Sequence, residues 1–163
     1  MDRMSTNAPY EYLKNAVLTA SPEQLQLMLF DGAIRFASRG REALLAADYE
    51  GAFSGFERAQ RIVTQLQTGL RREVAPELVD QMSALYNFIF RKLIDANTHR
   101  DPTAADDAIR ILRHQRETWQ MLIDKLARER SAALPPAPAP QPRATKAPVA
   151  AVIEPRPSLS LEG

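Results

Sequence analysis

The sequence predicts an all-α protein: an antiparallel up-down-up-down four-helix bundle, with an N-terminal cover segment before it and a disordered Pro/Ala-rich C-terminal tail after it. Three observations predict this. Between Ser21 and Arg130 the apolar residues recur at the three- and four-residue spacing of helix faces, and no alternating run is long enough for a strand. Helix-start signals recur along that stretch, as Ser21-Pro22, Asp48, Pro76 and Asp101-Pro102. Beyond Ser131 the composition turns to proline and alanine. Residues 1–130 therefore form the bundle domain and 131–163 the tail.

The first long helix covers about residues 22–46. Ser21 caps it, Pro22 takes the first helical position, and Gln24 completes a capping box. One face carries Leu25, Met28, Leu29, Gly32, Phe36, Gly40 and Ala43; a second set, Leu27, Phe30, Ile34, Ala37 and Leu44, lies round the side. The second helix covers 48–70, with Asp48 as cap and Phe53, Phe56, Ile62, Val63, Leu66 and Leu70 as its apolar residues. Gly51 and Gly55 weaken its first turns, by about 1 kcal/mol each relative to Ala. The third covers 76–97, with Leu78, Val79, Met82, Leu85, Tyr86, Ile89, Leu93 and Ile94 on its face and Asn97 as a left-handed terminus. The fourth covers 102–129 and carries Ala105, Ala108, Ile109, Leu112, Trp119, Leu122, Ile123 and Leu126. Short connections favour antiparallel neighbours.

The tail holds Pro135, Pro136, Pro138, Pro140, Pro142, Pro148, Pro155 and Pro157, with only scattered apolar residues. Such a segment cannot bury enough surface to offset the entropy of ordering it. Pro135-x-x-Pro138 fits a proline-recognition pattern that is common in any Pro-rich stretch.

Composition excludes several function classes. The chain has 163 residues, a formal net charge of +1 and no cysteine, so it builds neither a disulfide framework nor a thiolate metal site. No run of apolar residues approaches the ~20 of a membrane span, and Met1–Pro9 lacks the apolar core of a cleaved signal. This reads as a soluble, non-enzymatic protein without membrane insertion. A carboxylate-bridged di-iron bundle needs inward Glu-x-x-His pairs, which are missing, and His99 and His114 read as surface histidines. Neither a metal nor any other cofactor is expected. Ser21 is a cap with no base placed beside it, so hydrolase chemistry is disfavoured. Arg35, Arg39, Arg41, Arg58, Arg61, Arg71, Arg72, Arg110, Arg113 and Arg116 are interspersed with acids and accompany no reading motif, so no nucleic acid is expected.

The informative feature is an apolar surplus. The first helix carries more than the single stripe a bundle helix requires, and Phe88, Phe90 and Ile111 add to it elsewhere. Either the surplus completes an ordinary core, or it lines a groove for another chain. Tyr10, Tyr12, Leu13, Val17 and Leu18 are too apolar for a free leader. They read as packed on the bundle, as a staple or fifth helix or as a detachable cover over such a groove.

Tyr12-x-x-x-x-Val17-Leu18-Thr19-Ala20-Ser21-Pro22, then Leu25 and Met28-Leu29-Phe30-Asp31-Gly32, closely resembles the signature of the FliS family of flagellar secretion chaperones. Asp48-Tyr49, Ala59-Gln60-x-Ile62-Val63, Leu93-Ile94-Asp95-Ala96-Asn97, Leu112-Arg113 and Trp119 agree with it downstream. The resemblance spans about Tyr10 to Arg128 and leaves the tail outside. Phe30 stands where many members have Tyr, keeping the ring and losing the hydroxyl. What the resemblance implies is a cytoplasmic export chaperone that binds the C-terminal region of unassembled flagellin one-to-one, holds it from premature polymerisation and keeps it ready for the flagellar export apparatus. It also implies that the N-terminal segment covers part of the binding surface and moves when the client binds. On this chain the implied contact or cover residues are Tyr10, Tyr12, Leu13, Val17, Leu18, Leu25, Leu29 and Phe30, with Ser21 and Pro22 as the helix-start motif. The alternative is a helical homodimer that buries the surplus against itself and has no client.

Overall fold

The computed structural model describes residues 8–134. The described chain is five helices: α1 (Ala8–Thr19), α2 (Pro22–Leu45), α3 (Tyr49–Thr68), α4 (Pro76–Thr98) and α5 (Pro102–Ala133). The four long helices of the sequence reading are α2 to α5. The tail from residue 135 onward lies outside the described residues.

The starts follow the capping chemistry. Ser21 accepts from the backbone N–H of Gln24 at 3.2 Å while the Gln24 side chain accepts from the Ser21 N–H at 3.1 Å. This is the reciprocal box, and it satisfies two of the orphan donors of a helix start. Asp48 accepts from the Gly51 N–H and Asp101 from the Thr103 N–H, each at 2.9 Å. Pro76 starts α4 with no side-chain cap before it, since Ala75 occupies that position.

The left-handed terminus expected at Asn97 is one turn displaced. The positive φ angles fall at Ala47 (58°) and Arg100 (54°). In both loops the next residue is an aspartate whose N–H closes a wide turn, Asp48 onto the Ala43 carbonyl at 2.8 Å and Asp101 onto the Ala96 carbonyl at 3.1 Å. This is the Schellman termination, which any residue able to tolerate αL can provide. Each such aspartate then caps the following helix, so one residue ends one helix and starts the next.

Helix α2 packs on α3 and α5, and α4 packs on the same two, so the four close a ring around one core. Cross-helix contacts fix the directions. Along α2, Glu23, Asp31 and Arg41 pair with Arg130, Arg116 and Asp106 of α5, in descending order. Gln67 of α3 meets Asn87 of α4, and Arg72 beyond α3 meets Asp80. All of these are antiparallel pairings. The exposed pairs set register more than stability, at ~0–1 kcal/mol each.

The core occupies one half of the bundle's length. Its buried residues run from Phe30 to Leu44 in α2, Ala52 to Leu66 in α3, Tyr86 to Ala96 in α4 and Ala104 to Leu112 in α5. That half is rich in small residues: Ala33, Ala37, Gly40, Ala52, Gly55, Ala59, Ala96, Ala104, Ala105 and Ala108 are all buried. Small side chains let helix axes approach, and the large ones between them fill the space. Gly40 and Gly55 mark the closest approach, since a Cβ on Gly55 would lie 2.6 Å from the Gly40 backbone nitrogen. The two α3 glycines read from sequence as weak helix formers thus include one the packing demands.

Two sequence expectations need correction. Helix α5 runs to Ala133, beyond the expected 129 and into residues assigned to the tail. Ser131, Ala132 and Ala133 are good or neutral helix formers, and the break comes only at Leu134, before the first proline. Phe53, expected on the apolar face of α3, is 55% exposed, because the core stripe of that helix passes through Ala52, Phe56 and Ala59 instead.

Candidate functional site

The other half of the bundle is unfinished. Its walls are α2 before Phe30, α4 before Tyr86 and α5 after Leu112, and no residue in those stretches is fully buried. The reason lies in the sequence. This half carries Leu25, Met28, Leu29, Leu78, Val79, Met82, Trp119, Leu122, Ile123 and Leu126, with few small residues among them, so the helices cannot close. Helix α3 also stops at Thr68, while α4 still has its first two turns to run beside α5.

A cleft of about 340 Å³ opens where α3 has ended. Phe30, Leu70, Leu78, Val79, Met82, Tyr86, Trp119 and Leu122 form its apolar lining, with Gln26, Gln115 and Thr118 as polar groups. Phe30 and Tyr86 are buried, whereas Leu78 is 57% and Leu122 42% exposed. The cleft therefore grades from core to surface. Trp119 is fixed across one wall, because its indole N–H donates to the Glu23 carbonyl at 2.9 Å. That bond uses a carbonyl in the first turn of α2 and ties α5 to the helix start set by Ser21 and Pro22. Burial pushes the Tyr86 hydroxyl up to about 12. Among the described residues no group of three His, Cys, Asp or Glu side chains sits where it could hold a metal ion.

Helix α1 belongs to this end, joined to α2 through Ala20 and Ser21. Tyr10, Leu13 and Val17 form a stripe along it, and Tyr12 and Leu18 lie on other faces. None of its residues is buried, and Tyr12 is 77% exposed. In this conformation the segment is a helix with its large apolar side chains between 43% and 77% exposed.

The eight sequence-derived contact residues are thus divided. Phe30 lines the cleft, Leu25 and Leu29 lie half-buried on α2, and Tyr10, Tyr12, Leu13, Val17 and Leu18 stand exposed on α1. Ser21 and Pro22 act in the helix start. Asp31, part of the sequence signature, makes a bidentate contact with the Arg116 guanidinium, which raises the pKa of that guanidinium above its ordinary value. Its role is to join α2 and α5. Sequence reasoning missed Leu70, Leu78, Val79, Met82, Tyr86, Trp119 and Leu122 as cleft residues by assigning them all to the core. The available signal was the loss of alanine along α5 after Ala108, which continues to Leu126.

Comparison with known proteins decides the family. The family model for the flagellar protein FliS matches residues 5–126. The chain belongs to the FliS family. It is 30% identical over 128 residues to the flagellar secretion chaperone FliS of Bacillus subtilis, covering 78% of this chain and 95% of that relative. It is 32% identical over 120 residues to the flagellar secretion chaperone FliS of Salmonella typhimurium, covering 73% and 89%. A crystal structure described as a flagellar chaperone from bacteria superposes with a TM-score of 0.56 at 19% identity, over 73% of this chain and 97% of that one. At that identity the superposition supports the all-helical fold alone. The region matched by the family model ends within α5, at residue 126.

Proposed function

We propose that this FliS protein is a non-enzymatic export chaperone that binds the C-terminal region of unassembled flagellin one-to-one in the cytoplasm, prevents its premature polymerisation and keeps it ready for the flagellar export apparatus. The observation that carries the proposal is the unfinished half of the bundle in a chain whose relatives are named flagellar secretion chaperones. A chaperone for amphipathic segments needs apolar surface that its own fold leaves uncovered. Here α2, α4 and α5 leave Leu25, Leu29, Leu78, Trp119 and Leu122 partly or largely exposed, and α1 adds Tyr10, Leu13 and Val17.

The thermodynamics suit such a client. Burial of apolar surface contributes ~25 cal/mol per Å², and much of that gain is offset by ordering the client. Binding is then firm enough to hold and weak enough to release without nucleotide hydrolysis by the chaperone. Because the anchors are apolar, affinity changes little between low and moderate salt.

The test is co-purification with full-length flagellin and with flagellin lacking its C-terminal region, read by light scattering. A one-to-one complex with the full-length protein alone is expected. A homodimer whose mass is unchanged by either flagellin would overturn the reading and leave the self-associating helical protein in its place. A complex that dissociates at moderate salt would contradict the apolar anchoring.

A further inference from the structure

We propose that the cleft between α2, α4 and α5 is the docking site of this chain's own C-terminal tail, through the run Val149-Ala150-Ala151-Val152-Ile153. The inference is independent of what client the bundle serves.

The first argument is position. Helix α5 carries the chain out of the bundle at the end where the cleft opens, and the described chain stops at Leu134. Leu122, on the cleft wall, lies twelve helical residues earlier, a distance of ~18 Å along the axis at ~1.5 Å per residue. The second argument is reach. From Leu134 to Val149 the chain has fifteen residues, rich in proline, whose extended polyproline span of up to ~46 Å exceeds the distance to be covered. The linker is therefore long enough to return the tail to the cleft, and tethering makes that docking intramolecular.

The third argument is fit. Val149–Ile153 is the densest apolar run of the tail, bounded by Pro148 on one side and Glu154-Pro155 on the other. The flanking prolines oppose helix and favour an extended strand of backbone. A cleft of about 340 Å³ is at the small end of ligand clefts, which run from ~300 to ~1,000 Å³, so it suits a few branched side chains rather than a whole amphipathic helix. An extended segment brings unpaired backbone N–H and C=O groups with it. Gln26, Gln115 and Thr118 line the same cleft and supply donors and acceptors for them.

Docking makes the tail an internal competitor. Any other occupant of the cleft must displace it, and its apparent affinity falls in proportion to the fraction of molecules with the cleft free. If the tail is bound nine-tenths of the time, that is about a tenfold loss.

Trp119 is the sole tryptophan of the chain and lines the cleft, so its fluorescence reports occupancy directly. The experiment compares the full chain with a full-length Val152→Asp/Ile153→Asp variant, whose helical circular dichroism serves as the folding control. The expected result is a red-shifted, more readily quenched Trp119 in the variant. A synthetic peptide spanning residues 148–156 reverses the change in a saturable, concentration-dependent way. Identical emission and quenching in the two proteins would overturn the proposal. So would a difference that vanishes on dilution, which would place the tail of a second copy in the cleft. Polar substitutions at Tyr10, Leu13 and Val17 that expose Trp119 while the tail variant does not would assign the cleft to α1 instead.

Discussion

Substitution of Gly55 by alanine tests the packing account most sharply, because helix propensity and steric fit predict opposite signs. In an unpacked helix the change stabilises by about 1 kcal/mol, since alanine restricts the unfolded chain and favours the helix. At Gly55 the added Cβ would sit 2.6 Å from the Gly40 nitrogen, 2.7 Å from its Cα and 2.9 Å from the Phe36 carbonyl oxygen. Ordinary contact begins at 3.4 Å, and all three atoms are backbone, so no rotamer change relieves the overlap. The α2–α3 seam must open by nearly an ångström. A gap of ~0.5–1 Å forfeits a quarter to a half of the dispersion energy of each contact across it, and overpacking of this kind destabilises by about 1–3 kcal/mol. Opposed by the propensity gain, the expected net change runs from about zero to a loss of about 2 kcal/mol.

Gly69 is the matched control. It sits at the end of α3 with φ −76°, and the nearest atoms to a Cβ there are 3.6 Å away. Gly69→Ala is therefore expected to be neutral or stabilising by up to about 1 kcal/mol. Urea unfolding followed by helical circular dichroism measures both, with the slope checked so that a change in midpoint reads as a change in stability. A Gly55→Ala protein about 1 kcal/mol more stable than its parent, the unopposed propensity gain, would refute the close approach of α2 and α3 and with it the small-residue explanation of where the core sits.

Ala47→Gly is expected to raise stability by about 1 kcal/mol in the same unfolding assay, because Ala47 sits at φ 58° and glycine alone adopts that region freely. Ser21→Ala removes the reciprocal cap and is expected to lower stability by about 1 kcal/mol; a flagellin-binding defect at unchanged stability would instead make Ser21 a contact residue. Tyr86 ties alkaline stability to the core. Its folded pKa is raised by burial from 10.0 to about 12, so its contribution is fully present below pH 10 and is lost as pH rises toward 12. Ultraviolet titration is expected to show Tyr86 ionising only as the bundle unfolds, and a Tyr86→Phe variant should hold its structure to higher pH.

The fold was largely legible because its signals are local. Ser21-Pro22, Asp48, Pro76 and Asp101-Pro102 each act within one turn, and each marks a real helix start. The ends were less legible. Ala47 and Arg100 adopt αL because the following aspartates complete a turn and a cap at once, a cooperation that composition does not display. The site was legible only in part. Periodicity identifies which residues of a helix face inward, but not whether the neighbouring helix is long enough to meet them. Leu78, Val79, Met82, Trp119 and Leu122 obey the core pattern, and they line a cleft because α3 ends at Thr68. That is a property of relative helix lengths. Conversely, Tyr10, Leu13 and Val17 are apolar enough to suggest packing, yet stand exposed on α1.

The uneven core has a functional logic that follows from cooperativity. A binding surface made of apolar residues lowers the stability of the free protein, because those side chains lose favourable burial and the helices carrying them tend to fray. Concentrating the alanines and glycines in one half lets that half pack tightly enough to hold α2, α3, α4 and α5 in register. The other half can then remain splayed without unfolding the chain. The anchor between the halves is the Trp119–Glu23 hydrogen bond together with the Asp31–Arg116 pair, both joining α5 to α2 across the loose region. Loss of either should loosen the cleft before it loosens the core. Hydrogen exchange on Arg116→Ala is therefore expected to show earlier opening at α2 before Phe30 and α5 after Leu112, with protection kept at Val63, Leu93 and Ala108. Uniform loss of protection in both halves would mean that the bundle opens as one unit, and that the exposed apolar surface is sustained by something other than a separately stable core.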